Sequence, residues 1–307
     1  MSRSVCNICP RRCAVSRESG ERGYCGAGKE ITVSHVSRYM GEEPVVSGKK
    51  GSGAIFFGGC NMRCVFCQNK DVSHAVDGRE YDVRSLSELF LRVQESDVEN
   101  INLITPTPYA PAIAEALSRV KDKLGIPVVY NTGAYETRET LRLLEGLVDI
   151  YLPDIKYSSD ELAKRYSSAP DYADTAFRAF EEMLRQRPAV SYNGEGIMTE
   201  GVIVRHLCMP SHSNDTAEVL HRLSKYLGKY DFLLSLMSQY TPSFLGESAK
   251  DFSEISRKIT TLEFERSVKL MRELGFLGFI QSRASATEEY TPRFDARAFR
   301  EKGEIKI

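Results

Sequence analysis

The sequence lacks any bulk charge excess. Across 307 residues, 41 Lys and Arg stand against 42 Asp and Glu, a formal net charge of -1. No overall field therefore favours nucleic acid or an anionic membrane as a partner, and neither is expected. Long apolar runs are also missing: nothing approaches the ~18 apolar residues of a membrane span. The basic residues near the start, Arg3, Arg11 and Arg12, are not followed by the apolar stretch of a secretory signal. These absences predict a cytoplasmic protein. No internal repeat or low-complexity tract is seen. With 42% hydrophobic and 27% charged residues, the profile is that of a soluble globular chain, long enough for one large α/β domain or two ordinary ones.

Cysteine is plentiful, and its placement carries more than its number. Of eight cysteines, Cys6, Cys9, Cys13 and Cys25 fall early, Cys60, Cys64 and Cys67 fall together, and Cys208 stands alone. In a reducing compartment such groups read as metal ligands rather than disulfides.

Residues 1–50 have little hydrophobic periodicity and read as a small cysteine-rich, metal-stapled extension. From about residue 53, short apolar runs alternate with helical patterns. Strands are predicted at 54–58, 100–104, 127–130, 149–152, 202–205, 232–236 and 276–280. Helices are predicted at 85–95, 111–124, 137–147, 172–187, 216–227 and 262–274. This alternation predicts an α/β fold with a parallel sheet covered by helices, spanning 51–290 as a complete or partial barrel, followed by a polar C-terminal tail at 291–307. In such barrels the active site lies at the C-terminal strand ends.

Directly after the first predicted strand the chain reads Gly-Gly-Cys-Asn-Met-Arg-Cys-Val-Phe-Cys-Gln-Asn, a C-x3-C-x2-C spacing with Phe66 before the last cysteine. Three thiolates can hold three irons of a cubane and leave the fourth open, whereas an electron-transfer cluster uses four. The open iron can take the amino and carboxylate groups of S-adenosylmethionine (SAM). Zinc prefers four protein ligands at a structural site, so a zinc reading needs a distant fourth. Cys6, Cys9, Cys13 and Cys25, spaced C-x2-C-x3-C-x11-C, offer four thiolates, which match either zinc or a complete second iron–sulfur cluster. Arg11, Arg12 and Arg17 would favour the thiolates.

On these residues the chain resembles the radical SAM superfamily. More closely it resembles the PflX-like homologues of pyruvate formate-lyase activating enzymes. That likeness rests on Cys-Asn-Ile-Cys-Pro-Arg-Arg-Cys, the triplet, Tyr-Asn-Thr-Gly-Ala-Tyr at 130–135, Pro-Asp-Ile-Lys-Tyr at 153–157, Val-Arg-His-Leu at 204–207 and Met-Ser-Gln-Tyr at 237–240. The resemblance implies a partial (β/α)6 barrel, a [4Fe–4S] cluster with an open iron on Cys60, Cys64 and Cys67, SAM as cofactor, and a low-potential electron donor as partner. The Gly-Gly-Glu usual at the second strand end is replaced by Thr105-Pro106-Thr107-Pro108, so a Thr hydroxyl or a backbone carbonyl of this string is expected to stand in, with Thr105 the candidate for SAM binding.

Asp154 and Lys156 follow an apolar run at the expected rim. They are expected to meet SAM, Lys156 at its carboxylate and Asp154 at its amine, ribose or a cation. Asn131 and Thr132 are expected to bond SAM or to shape the Gly133 turn. Arg205 and His206 end the fifth strand and are candidates for contacts to SAM or substrate, although alternation lets only one point inward. Gln239 and Tyr240 are candidate substrate-pocket residues. Met62 and Cys208 are expected to pack.

Three functions follow. The radical formed from SAM could abstract hydrogen from a glycine of a partner glycyl-radical enzyme. It could act directly on a small molecule or peptide. Or the chain could be a non-catalytic metal-binding regulatory or scaffold protein. A core does not fix a substrate.

Overall fold

A computed structural model describes residues 5–281; the predicted tail at 291–307 lies outside the described residues. The strands are β1 (Ile31–Tyr39), β2 (Ser52–Phe57), β3 (Arg79–Tyr81), β4 (Asn100–Ile104), β5 (Val128–Thr132), β6 (Ile150–Pro153), β7 (Ser191–Tyr192), β8 (Met198–Leu207), β9 (Leu233–Met237) and β10 (Gly278–Ile280). The helices are α1 (Pro44–Ser47), α2 (Lys70–Ser73), α3 (Val83–Gln94), α4 (Ala110–Ser118), α5 (Arg138–Arg142), α6 (Asp160–Ser167), α7 (Tyr172–Gln186), α8 (Ser213–Ser224) and α9 (Thr261–Glu273).

The sheet runs β10-β9-β8-β6-β5-β4-β2-β1-β3, with β7 pairing β8. From β2 to β10 the path is parallel, while β1 and β3 add an antiparallel edge. The two ends do not meet, so the barrel is partial and open, as expected. The crossovers required between parallel strands carry the helices. The longer ones present an apolar stripe: α3 buries Leu86, Leu89, Phe90 and Val93 behind a capping box of Asp82 and Ser85. Phe180 of α7 meets Tyr226 and Phe232 edge-on, with ring centroids 5.4 and 5.2 Å apart.

Strand alternation divides the core in two. Ile101, Leu103, Tyr130, Tyr151, Val202, Val204 and Leu234 face the helices. Val129, Ile150, Leu152, Ile203 and Leu233 face the barrel interior, where Val46 of α1 packs against them as a plug. That plug shows residues 1–50 to be more than an appendage. β1 is buried from Ile31 to Val36 and pairs with β2 over Val33–Tyr39. The cysteine-rich part is thus confined to the residues before β1.

Candidate active site

A cavity of about 690 Å³ occupies the barrel, within the range of small-molecule sites. Residues from both strand ends line it: the cysteine loop, Thr105, Thr107, Asn131, Asp154, Lys156 and Arg205 at the C-terminal ends, and Tyr39–Pro44 from the segment entering at the N-terminal ends.

The cysteine loop leaves β2 through Gly58 and Gly59. Gly59 has φ +83°, and a side chain there would meet the Cys25 carbonyl oxygen at 2.4 Å, so only glycine lets the N-terminal segment pack this closely. Arg63 then ties the loop down, donating to the carbonyls of Cys60 at 3.0 Å, Ser73 at 3.2 Å and Tyr24 at 2.8 Å. Asn61 donates to the Tyr135 carbonyl at 2.6 Å. Phe66, the aromatic residue of the motif, packs edge-on against Tyr240 at 5.8 Å. Met62 is buried, with its sulfur in the space beside Gly133.

Cys60, Cys64 and Cys67 all line the cavity as free thiols. Each sulfur has one donor or hydroxyl at hand: Met62 N–H to Cys60 at 3.4 Å, Ser167 Oγ to Cys64 at 3.0 Å, and Ser73 Oγ beside Cys67 at 3.3 Å. Burial pushes all three thiols up, Cys67 to about 11, and the neighbouring Cys64 raises Cys60 and Cys67 further. Three half-buried thiols that resist ionising together form a donor set suited to a cationic centre that displaces their protons. Among the described residues no three His, Cys, Asp or Glu converge as ligands of a single metal ion. Three thiols on one wall of the cavity match the donor set of a cubane that keeps one iron open.

Charge alternates away from this loop. Lys156 Nζ meets Asp154 Oδ2 at 2.7 Å, Arg205 Nε meets Asp154 Oδ1 at 2.6 Å, and Arg205 Nη1 meets Glu42 Oε2 at 2.8 Å. Asn131 bridges the same groups, accepting from Arg205 at 2.6 Å and donating to Glu42 at 3.1 Å. Asn102 donates to Glu42 at 2.8 Å. Burial would raise Asp154, but Arg205 and Lys156 outweigh it and hold the carboxyl below its usual range. Burial would lower Lys156, but Asp154 and Cys64 hold it raised. Burial dominates at Glu42, which rises to about 7 despite Arg205.

The structure brings Thr105, Asn131, Thr132, Asp154, Lys156 and Arg205 to one cavity, with Gln239 and Tyr240 on its wall. His206 does not join them, which corrects its expected place among the SAM contacts. It alternates with Arg205 and turns to the helix side, bonding the Ile155 carbonyl at 2.7 Å and Thr216 Oγ1 at 3.0 Å. Cys208 is buried away from the cavity. At the position of the absent Gly-Gly-Glu, Thr105 holds φ 61°, a conformation glycine takes freely and a β-branched residue rarely does.

Sequence reasoning missed Glu42, Glu43 and Glu136, and reached Thr107 only as part of the Thr-Pro-Thr-Pro string. Thr107 lines the cavity and donates to Glu136 Oε1 at 2.6 Å, as does Thr132 at 2.6 Å. Burial raises Glu136 to about 7 despite its hydroxyl donors. The signal for the polar interior was Asn-Ile-Asn-Leu-Ile in β4: alternation within a central strand implies one polar face indoors.

Cys9 and Cys25 are buried on the other side of the cysteine loop, where burial pushes Cys9 up to about 12 and Cys25 raises it further. Cys13 accepts from Tyr24 N–H at 3.3 Å, and Arg17 donates to Cys25 at 3.5 Å. Cys6 pairs its backbone with Val15 and Ala14.

Residues 54–223 match the family described as the Radical SAM superfamily. The uncharacterized protein MJ0674 of Methanocaldococcus jannaschii is 34% identical over 275 residues, covering 86% of this chain and 73% of that one. A second uncharacterized protein of that organism, MJ0808, is 27% identical over 179 residues, half of each chain. Among solved structures, a domain of pyruvate-formate lyase-activating enzyme from Bacteroides vulgatus covers 58% of this chain and 94% of its own at 10% identity, with a TM-score of 0.42. Streptococcus suis SuiB bound to S-adenosylmethionine covers 78% of this chain and 52% of its own at 13% identity, with a TM-score of 0.49. The chain belongs to the radical SAM superfamily and is a radical SAM enzyme. The family implies a [4Fe–4S] cluster and bound SAM.

Proposed function

We propose that Cys60, Cys64 and Cys67 hold the catalytic cluster and that hydrogen is abstracted from a substrate in the barrel cavity. The observation that carries this is the grouping of three half-buried, disulfide-free thiols on the cavity wall after β2, each with its own hydrogen-bond partner. When bound, the cluster supplies an electron that cleaves SAM to methionine and a 5′-deoxyadenosyl radical. The chain's own residues do the rest. Lys156, beside Cys64, offers a cation to the SAM carboxylate. Asp154 offers an anion to its ammonium. Thr107 and Thr132 donate their protons to Glu136; Thr132 Oγ1 also accepts from Ala134 N–H at 3.2 Å, while the Thr107 oxygen can accept from the cavity side. Arg205 and Asn131 fix Asp154 and Glu42.

Resemblance of the sequence to activating enzymes favours a glycine of a glycyl-radical enzyme as the hydrogen donor, with a low-potential electron donor as the second partner. Direct action on a small molecule or peptide is favoured by the charged cavity, which extends past the residues assigned to SAM. We further propose that Cys6, Cys9, Cys13 and Cys25 hold a second metal centre, an iron–sulfur cluster in preference to zinc, because this segment packs on the loop that bears Cys60, Cys64 and Cys67, where a second cluster could relay electrons.

The test is anaerobic reconstitution and reduction, with 5′-deoxyadenosine measured by chromatography. Wild type should form it. Cys60→Ala, Cys64→Ala and Cys67→Ala should each abolish it, and normal turnover in any one of them would sink the assignment. A glycyl radical signal on an added glycyl-radical enzyme separates the two substrate readings.

A further inference from the structure

The ion pairs in the cavity form a ladder. From the cysteine loop inward the order is Lys156, Asp154, Arg205, Glu42, with signs strictly alternating. Glu42 spends its carboxylate on Arg205, Asn102 and Asn131. The next residue, Glu43, adds a third carboxylate against two cations. It is 8% exposed and lines the cavity, and its Oε2 is buried with no hydrogen-bond partner. No cation forms an ion pair with it among the described residues, and Arg205, which acts on it at longer range, is already held by Asp154 and Glu42. Another acceptor there is also unmatched: Asn102, bonded to Glu42, leaves Oδ1 without a donor.

A buried carboxylate without a partner is costly, and the cost is recovered when a cation arrives. The ladder lacks its last positive rung. SAM does not supply it in the arrangement above, because Lys156 and Asp154 stand beside the cysteine loop. Glu43 instead enters from the opposite strand ends, between β1 and the plug α1. A bare metal ion is a poor occupant, since no three His, Cys, Asp or Glu converge here. The walls are mixed: Tyr39, Met40 and Phe56 offer apolar surface to a carbon stem.

We propose that Glu43, supported by Glu42, is the specificity-determining anion for a substrate carrying an organic cation, a primary ammonium or guanidinium on an apolar stem. This deepens the reading of the cavity as a radical SAM active site and rests on it for the word substrate. The cation binds Glu43 at the inner end, and the stem runs back toward the SAM end, where hydrogen is removed. Charge-assisted bonds in a buried site fix orientation as well as affinity.

The experiment is calorimetric titration of the reconstituted, SAM-loaded full chain with n-butylguanidinium and n-butylammonium, against N-butylurea and n-butanol as their neutral counterparts. Wild type should prefer the cations by about tenfold or more, the effect of one charge-assisted hydrogen bond. Glu43→Gln should erase that preference, and Glu43→Asp should keep it at lower affinity. Equal binding of cations and neutral analogues, no saturable cation binding, or displacement of the organic cations by potassium chloride at matched ionic strength would each overturn the proposal. So would a preference that survives Glu43→Gln. Wild-type comparison of cation and neutral analogue stands even if a variant fails to fold. Repeating the titration on the Cys60/Cys64/Cys67→Ala triple variant separates the two readings: cation preference retained there supports the Glu43 site whether or not wild type cleaves SAM.

Discussion

Asp154 is held from both sides, by Lys156 and by Arg205, and this decides how it should be tested. Alanine at 154 would leave two buried cations facing each other, a change that can cost about 3–5 kcal/mol in stability. Asp154→Asn keeps the shape and removes the charge. Lys156→Met removes the cation and keeps the stem. Both variants should weaken SAM binding by roughly 1.5–3 kcal/mol, about ten- to a hundredfold, while iron content stays at the wild-type level. A SAM titration with parallel iron analysis checks this. Unchanged affinity in both would make the pair structural.

Glu136 supports a different prediction at the same scale. Burial lifts its folded pKa to about 7, above the ordinary 4.5. A raised carboxyl contributes stability that is complete below the unfolded value and is lost as pH rises through the folded one. Between about pH 4.5 and 7 the folded chain therefore holds a proton the unfolded chain has released. Glu136→Gln should remove this loss, raising stability at pH 8 by up to about 3 kcal/mol relative to wild type and changing little at pH 4.5. Denaturant melts at the two pH values decide it: an equal effect at both would mean that Glu136 is not proton-bound. Glu42 titrates over the same window and remains in both proteins, so the difference between them isolates Glu136.

At the scale of elements, the parallel core was legible and its flanks were not. β4 falls on its predicted bounds, and β2, β5, β6, β8, β9 and β10 each overlap their predictions, because apolar runs with turn residues between them leave few alternatives. α5 stops at Arg142, short of the predicted 147, because the chain there forms tight i to i−3 bonds from Leu143 to Leu147. β1 escaped notice since its register shifts between Val33 and His35, which breaks the two-residue period. α6 escaped because Asp160–Ser167 is largely polar, burying only Ala163, Tyr166 and Ser167. The site followed the same division. Cysteine spacing and the rim motif on β6 were readable as local strings. Glu42 reaches the site through a tertiary contact 89 residues away, to Asn131, which no local pattern records; Glu136 lies four residues past Thr132, but its other threonine donor, Thr107, is 29 residues away.

At the scale of the whole molecule, the cysteine-rich segment is fastened to the loop that bears the triplet, and each supports the other. Arg11 donates to the Asn61 carbonyl at 2.8 Å and to the Ser168 carbonyl, and its guanidinium lies 3.8 Å from the Tyr24 ring centre. Arg63 crosses in the other direction to the Tyr24 carbonyl. Thr140 bonds the Ile8 carbonyl at 2.5 Å, and Arg17 bonds the Pro108 carbonyl at 2.5 Å. These bonds hold a segment with little apolar core of its own, so its order should depend on a staple. Protein carrying Ala at Cys60, Cys64 and Cys67 should therefore still purify anaerobically with metal, bound by the thiolates of Cys6, Cys9, Cys13 and Cys25. Metal analysis with Mössbauer or X-ray absorption spectroscopy identifies it: iron in a cluster is the expected result, and zinc would correct the choice of metal. Conversely, Ser at the four N-terminal cysteines should loosen the Arg11 and Arg63 contacts and lower iron retention at the triplet several-fold, with amide exchange rising at 58–67. Neither iron nor zinc in the triple variant would mean that the N-terminal group is no metal site. Full iron retention and unchanged exchange in the Ser variant would mean that the segment does not brace the cluster loop.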